Sequence, residues 1–536
     1  MNLLRKYTNR LDFDSYEDFK ENFRILVPEK FNFGYDIVDE WSKLDPEKKA
    51  LVWCDDAGNK KEFTFTDVSK LSNKIAGYLK SVGISKGDVV LLILRRRWEY
   101  WLAATALHKL GAILIPGSLQ LTEKDIKYRA KMAGIKAIIH VDDPFVNKQI
   151  EVFDGFKCTN DALMQNIESF PDVLEEKVET SKDDVMLIYF TSGTTGMPKM
   201  VQHNFTYPLG HIITAHFWQQ VKENKLHMSV SDSGWAKFGW GKIYGQWICG
   251  AVIFAYDMEK FVPSKLLEKM SEYKLTTFCA PPTMYRFMLQ EDVASYDLSS
   301  IENFCTAGEP LNPEVFRKWK EITGKEMREG FGQSEGPVLL ANFPWLTPKP
   351  GSMGKPSPIY NIELLTSEGA IAENGEEGII TICNVKSHPP VGLFTGFYKN
   401  PEMTKTVLGI RDYDTGDVAY TDENGYYWFI GRNDDVIKCS GYRIGPFEVE
   451  SAILEHEACV ECAVTAAPDP IRGQVVKATI VLKKGYTGSA ELIKEIQNYV
   501  KKVTAPYKYP RIIEFVDELP KTLGGKIKRK EIREKN

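Results

Sequence analysis

From Asp88 onward, short apolar runs alternate with helix-length amphipathic stretches: VVLLIL at 89–94, a helical pattern over Tyr100 to Leu110, AILIPG at 112–117, a second helical pattern near 123–134, then AIIHV at 137–141. That rhythm predicts βαβ units and a parallel sheet. It returns over 251–321, where AVIFAY, TTFCAP and NFCTAG are strand-like runs ending in small or turn residues. Two sheet-and-helix subdomains follow from this. Between about Gly354 and Ile430 the runs IELLT, GIITI and YYWFI are separated by Gly, Asn and Asp turns, which predicts an antiparallel, β-barrel-like subdomain. Past Gly431 the chain crosses polar Arg432, Asn433, Asp434 and Asp435, then resumes short strands and helices to Asn536. The expected architecture is α/β: a large N-terminal domain over 1–431, a junction at 432–435, and a small α+β C-terminal lid over 436–536.

Composition narrows the function classes. A chain of 536 residues exceeds what one core usually serves. Its net charge of −5 argues against a nucleic-acid partner. The longest apolar runs, such as Val89 to Leu94, fall far below the roughly 18 residues needed to span a bilayer. Arg5, Lys6 and Arg10 are followed by no apolar block, so the start lacks a secretory layout. Nine cysteines, an odd number, predict free thiols in a reducing compartment, and the cytoplasm is expected. His456, Cys459 and Cys462 form a local HxxCxxC, but zinc needs a fourth ligand and none stands nearby in sequence, so they read as thiols flanking a strand. The basic tail from Lys526 reads as a solvated charged helix.

The strongest chemical signal is YFTSGTTGMPK, Tyr189 to Lys199, where the strand-like MLIYF opens into a hydroxyl- and glycine-rich loop closed by lysine. Gly193 and Gly196 let backbone approach phosphate oxygens, Thr191, Ser192, Thr194 and Thr195 offer hydroxyl donors, and Lys199 offers charge. It lacks the GxxxxGK[ST] order of a Walker A loop.

The loop resembles the phosphate-binding signature of the adenylate-forming superfamily of acyl-CoA synthetases, luciferases and peptide-synthetase adenylation domains. TAGEPLNPE (306–314), EGFGQSE (329–335), YDTGD (413–417), GRNDDVIK (431–438), SGYRIGPFEVE (440–450) and PKTLGGKIKR (520–529) follow in the family's order. The resemblance runs from about residue 60 to the end, and the GEPLNPE and GQSE wording looks most like the medium-chain acyl-CoA synthetases. It implies ATP, Mg2+ and coenzyme A. Gly308, Glu309 and Pro310 would wall the adenine pocket with Phe331 beside the base, and Glu329, Gly330, Gly332 and Gln333 complete that segment. Asp417 would hold the ribose, with Arg432 a further ribose or phosphate contact. Ser334 would donate to the α-phosphate, Glu335 would organise magnesium, and Lys526 would bridge the acid and the α-phosphate. Asp434 aligns with the hinge about which the small domain turns, bringing Ser440, Gly441 and Tyr442 to the pantetheine channel. Arg443 would contact nucleotide or coenzyme, and Arg472 and Arg511 the coenzyme's phosphates.

The resemblance implies that acetyl-specific relatives place tryptophan where this chain has Gly332, so an open pocket for an acid several carbons long is expected, with Trp235, Lys237, Trp240 and Cys279 as its other walls. Lys237 departs from a purely apolar tunnel, and would shorten the pocket, bind a polar tail or snorkel. The resulting expectation is an acyl-CoA synthetase for short- to medium-chain or branched acids. A carrier-loading adenylation enzyme and a luciferase-like oxidoreductase are the alternatives, and monomer and homo-oligomer are both left open.

Overall fold

A computed structural model of the chain describes residues 3–191, 198–408, 412–439, 442–470, 472–521 and 527–534. Its first sheet has seven strands, five of them parallel neighbours: Ile113–Pro116, Val89–Ile93, Ile135–His140, Phe156–Thr159 and Val185–Thr191. The run Val89–Ile93 is buried at every position, because helices cover both faces of a parallel sheet and no polar alternation survives there. Lys199–Asn204 returns antiparallel to Val185–Thr191, and Gly396–Phe397 closes that edge.

A second path of strands is longer. Its parallel part runs through Lys49–Asp55, Val252–Asp257, Leu226–Ser229, Thr277–Ala280, Asn303–Ala307 and Met327–Phe331. Six antiparallel strands then continue it edgewise, from Leu340–Ala341 and Ser352–Pro356 through Tyr427–Arg432 and Tyr413–Thr421 to Gly378–Ile382 and Ile362–Leu365. The antiparallel stretch expected over 354–430 is therefore an extension of the second sheet and, among the described residues, no closed barrel. Gly354 shows why the strands can join. Its φ is +86°, and a side chain there would run into the backbone of Ala341.

Strands Ile437–Cys439, Tyr442–Ile444, Cys459–Asp469, Gly473–Leu482 and Ile512–Val516 form a separate five-stranded sheet. Helix Ala490–Val503 covers it. Ser489 caps that helix by accepting from the Leu492 N–H, and Leu492, Ile496 and Val500, spaced at i, i+4 and i+8, are its buried face. Each such side chain contributes about 1.5–3 kcal/mol on burial. Cys459 is half-buried and Cys462 buried in the strand it opens. This smaller unit touches the larger through Asn312 Nδ2, which donates to Ser451 O (3.2 Å) and Oγ (3.0 Å), and through Arg443 Nε at 2.7 Å from Glu377 Oε2.

Candidate active site

Thr191 ends one strand of the first sheet and Lys199 begins the next, and the two are register partners. Ser192, Gly193, Thr194, Thr195 and Gly196 lie outside the described residues. Lys199 Nζ stands 5.5 Å from the centre of the Phe397 ring, a cation held over an aromatic face.

The GQSE segment leaves the second sheet at Phe331 and is tied down from three sides. His203 Nε2–H donates to the Ser334 carbonyl (2.8 Å), and the Phe394 N–H donates to the Glu335 carbonyl (2.6 Å). Burial holds His203 near pKa 4, so the ring is neutral at physiological pH. Gln333 makes the third tie. Its Nε2 donates to Asp417 Oδ2 (2.5 Å) and to Thr415 O (2.8 Å), while Tyr413 OH donates to its Oε1 (2.8 Å). One amide thereby has both ends committed, and it fixes a buried carboxylate that faces the segment.

Asp417 and Arg432 are paired across adjacent antiparallel strands, Nη1 lying 3.5 Å from Oδ2 and donating to Thr415 O at 2.8 Å. Gly416 has φ +72°, and a Cβ at that position would come within 2.7 Å of Arg432 Nη2. Glycine lets the guanidinium lie flat against the turn. Arg432 Nε also reaches within 3.8 Å of Asp434 Oδ1, at the expected hinge. Burial raises the Glu335 carboxyl above the ordinary range; its own backbone N–H, Arg432 and Lys199 oppose this, while Asp417 adds to it. Two carboxylates thus share one mouth with two cations.

Gly308 has φ +96°, and a side chain there would collide with Lys237 Nζ, which donates to Ala307 O at 2.5 Å. Lys237 therefore turns back onto the end of strand Asn303–Ala307. Thr283 Oγ1 donates to Glu309 Oε2 (2.6 Å), and Pro310 is half-buried. Glu329 is pushed up to about 8 by burial, against a hydrogen bond from the Leu311 N–H (3.2 Å). Gly330 is needed because the Trp218 indole lies where a side chain would go, 2.6 Å from an added Cβ. Phe331 packs 6.1 Å from Phe429.

Lys237, Trp240 and Cys279 line one narrow cavity, joined by Trp218, Gln219 and Ser229. Trp235 is not among its walls; it precedes helix Ala236–Gly241, half-buried. The expectation that Gly332 opens this pocket is corrected. A Cβ on Gly332 would fall onto Trp240, with Cζ2 at 2.8 Å, so the space freed by glycine is already filled by an indole from the opposite wall.

On the small domain, Ser440, Gly441 and Lys526 lie outside the described residues. Tyr442 stacks on Tyr507 at 4.2 Å with about half its surface exposed, and Arg511 Nη1 is 3.8 Å from Cys439 Sγ. Cys439 is the register partner of both Tyr442 and Gly473, which brings Tyr442, Arg472 and Arg511 to one edge of the sheet. Arg443 is instead engaged with Glu377 of the large domain. Sequence reasoning gave no role to Tyr413, His203 or Trp218. Tyr413 sits inside the quoted YDTGD motif; His203 and Trp218 carry no local signal.

Residues 38–387 match the family model for AMP-binding enzymes, and residues 448–526 the model for the AMP-binding enzyme C-terminal domain. The chain is 42% identical over 547 residues to acyl-coenzyme A synthetase ACSM3, mitochondrial, of Rattus norvegicus, covering 98% of this chain and 94% of that protein. Among solved structures it is similar to the anthranilate CoA ligase AuaEII in complex with anthranoyl-AMP, with a TM-score of 0.86, 29% identity, and 95% and 98% of the two chains covered. A Brucella canis acyl-CoA synthetase superposes with a TM-score of 0.75 at 28% identity, covering 98% and 99%. The chain belongs to the AMP-binding, adenylate-forming enzymes, in the acyl-coenzyme A synthetase branch.

Proposed function

We propose that the protein joins a carboxylic acid to coenzyme A in two steps. The acid's carboxylate attacks the α-phosphorus of ATP, giving acyl-AMP and pyrophosphate. The thiol of coenzyme A then attacks the acyl carbon, giving the thioester and AMP. The observation that carries this reading is the tie from Gln333 to Asp417, which brings a nucleotide-binding carboxylate, Arg432 and the Ser334–Glu335 segment to one mouth beside the cavity. Asp417 accepts from the ribose hydroxyls, Gly308 to Pro310 and Phe331 flank the base, and the Thr191–Lys199 segment takes the phosphates. Glu335 supplies a hard oxygen for Mg2+, and its burial-raised carboxyl suits a group that gains a cation together with the substrate. That ion would draw charge from the phosphate oxygens.

The acid lies in the cavity beneath Trp240. Its tight walls support a compact short- to medium-chain or branched acid over a long straight one. Lys526 serves adenylation. The 436–536 unit then turns about Asp434 relative to 1–431, presenting Ser440 to Tyr442, with Arg472 and Arg511 toward the coenzyme. The mixed anhydride is shielded from water between the steps. No described helix is long and apolar enough to cross a membrane. All nine cysteines are free, in keeping with a reducing compartment such as the cytoplasm, where the proposed reaction would serve fatty-acid metabolism; the rat relative carries "mitochondrial" in its name. The test is AMP release from ATP with a panel of acids, with and without free coenzyme A. Thioester formation that needs free coenzyme A and no oxygen is the expected result. Adenylate formation that coenzyme A does not discharge would reject it.

A further inference from the structure

Three consecutive arginines, Arg95 to Arg97, leave the first sheet directly after strand Val89–Ile93 and Leu94. They reach across to the second sheet. Arg95 is in the left-handed region at φ +52°, its Nε lies 3.0 Å from Asp257 Oδ1, and its Nη2 donates to Met258 O. Arg96 Nη2 donates to the same carbonyl at 2.6 Å, and Trp53 Nε1 donates to the Arg96 carbonyl at 2.9 Å. The arginine backbone and one of its nitrogens are thus fixed, which leaves Nη1 aimed. It donates to Asp232 Oδ2 at 3.3 Å.

Asp232 opens the turn that leads into the cavity wall. Its Oδ1 accepts from the Gly234 N–H (3.2 Å) and its carbonyl accepts from the Trp235 N–H (3.2 Å). The two carboxylate oxygens have divided tasks: one shapes the turn, the other ties it to the first sheet. The turn sits hard against that sheet's Gly117 and Ser118, since a Cβ on Gly234 would be 2.5 Å from the Ser118 N–H nitrogen. From it springs helix Ala236–Gly241, which carries Lys237 and Trp240 into the cavity. Just beyond, Lys242 Nζ is fully buried and finds no hydrogen-bond partner among the described residues, while Asp232 and Asp257 act on it electrostatically. Asp257 keeps Arg95 when Arg96 is removed, whereas Asp232 loses its ion-pair partner, so the turn that Asp232 shapes loses its tie to the first sheet.

We infer that Arg96, through Asp232, is a positioning residue that sets acid selectivity by fixing the turn from which Lys237 and Trp240 enter the acyl cavity. This rests on the acid occupying that cavity. A displacement of about 1 Å in a positioning group can cost about a hundredfold in rate, so a loosened turn has a measurable effect without touching the nucleotide. The inference is tested with Arg96→Lys, Asp232→Asn and their double variant, measuring kcat/KM and KM for acids of graded length and branching, KM for ATP, and thermal midpoints. Each single variant should raise KM for the preferred acid roughly tenfold and flatten discrimination among acids, while KM for ATP stays within about twofold. The double variant should be no worse than the poorer single, as expected of two residues acting through one contact. Asp232→Asn keeps Oδ1 for the Gly234 N–H, so it carries the test if Arg96→Lys does not fold. Equal movement of both KM values, additive effects, or a lowered thermal midpoint with an unchanged acid profile would overturn the inference. Trp240→Ala separates this from the pocket assignment. If it shifts the acid profile while the Arg96 and Asp232 variants do not, this inference alone fails. If it also leaves the profile unchanged, the cavity is not the acid's site.

Discussion

The indole of Trp240 stands where a side chain on Gly332 would begin. Glycine at 332 is therefore a requirement for seating Trp240, and the depth of the cavity is set from helix Ala236–Gly241 and not from the GQSE segment. Trp240→Ala should raise kcat/KM for six- to eight-carbon acids relative to butyrate by about tenfold or more, since each methylene accommodated in an apolar pocket is worth about 1–3 kcal/mol. Gly332→Trp, in contrast, should depress turnover of every acid, because two indoles cannot share the space. A competition assay over acids of graded length checks both, and selective gain of acetate turnover in Gly332→Trp would contradict the packing.

Gln333→Ala removes both donors that hold Asp417 and Thr415. Hydrogen bonds to charged groups are worth about 1.5–3 kcal/mol, so KM for ATP should rise roughly ten- to a hundredfold. Tyr413→Phe, which removes one neutral hydrogen bond to Gln333, should have a smaller effect in the same direction. Nucleotide titration calorimetry of the two variants gives the comparison.

Lys526→Ala should cut adenylate formation by about a hundredfold or more, the usual cost of losing one charge-stabilising contact in a transition state. Thioester formation from a supplied acyl-adenylate should persist. Equal loss of the two half-reactions would refute a role confined to the first.

Glu329 gives a pH signature in stability. Burial raises its folded-state pKa from 4.5 to about 8, so the folded protein holds a proton that the unfolded chain releases. The stability this contributes is complete below the unfolded value and is lost as pH rises toward about 8, at roughly 1.4 kcal/mol per pH unit. Glu329→Gln keeps an acceptor for the Leu311 N–H and removes the titration. Between pH 6 and 9 its thermal midpoint should fall less than that of the unmodified protein, measured by differential scanning calorimetry.

Much of this was legible in the residues. Val89–Ile93 and its parallel neighbours were readable because burial on both faces forces uninterrupted apolar runs. That Asp417, Glu335 and Arg432 come together could be expected because each lies in a motif whose order is itself information; their roles remain the proposal made above. What escaped depends on distant contacts. Nothing in the neighbourhood of Gly332 says that Trp240, more than ninety positions earlier, will occupy its missing side chain. Lys237 reads as a pocket or surface lysine, and only the folded chain shows its amine turned back onto the Ala307 carbonyl, over the space that Gly308 leaves open. The edgewise join of the antiparallel strands to the second sheet was hidden because short strands such as Leu340–Ala341 have no periodicity to read.

That join has a mechanical meaning. Phe331, Asp417 and Arg432 belong to one hydrogen-bonded ribbon, whereas Thr191 and Lys199 belong to the other sheet. On the proposed function, a nucleotide held at its sugar by the ribbon and at its phosphates beside Thr191 and Lys199 would span the seam between the two sheets, adding to the ties that His203 and Arg96 already make across it. Its arrival would stiffen the large domain as a strut stiffens a hinge, and release of pyrophosphate would withdraw one end of that strut while the other stays anchored.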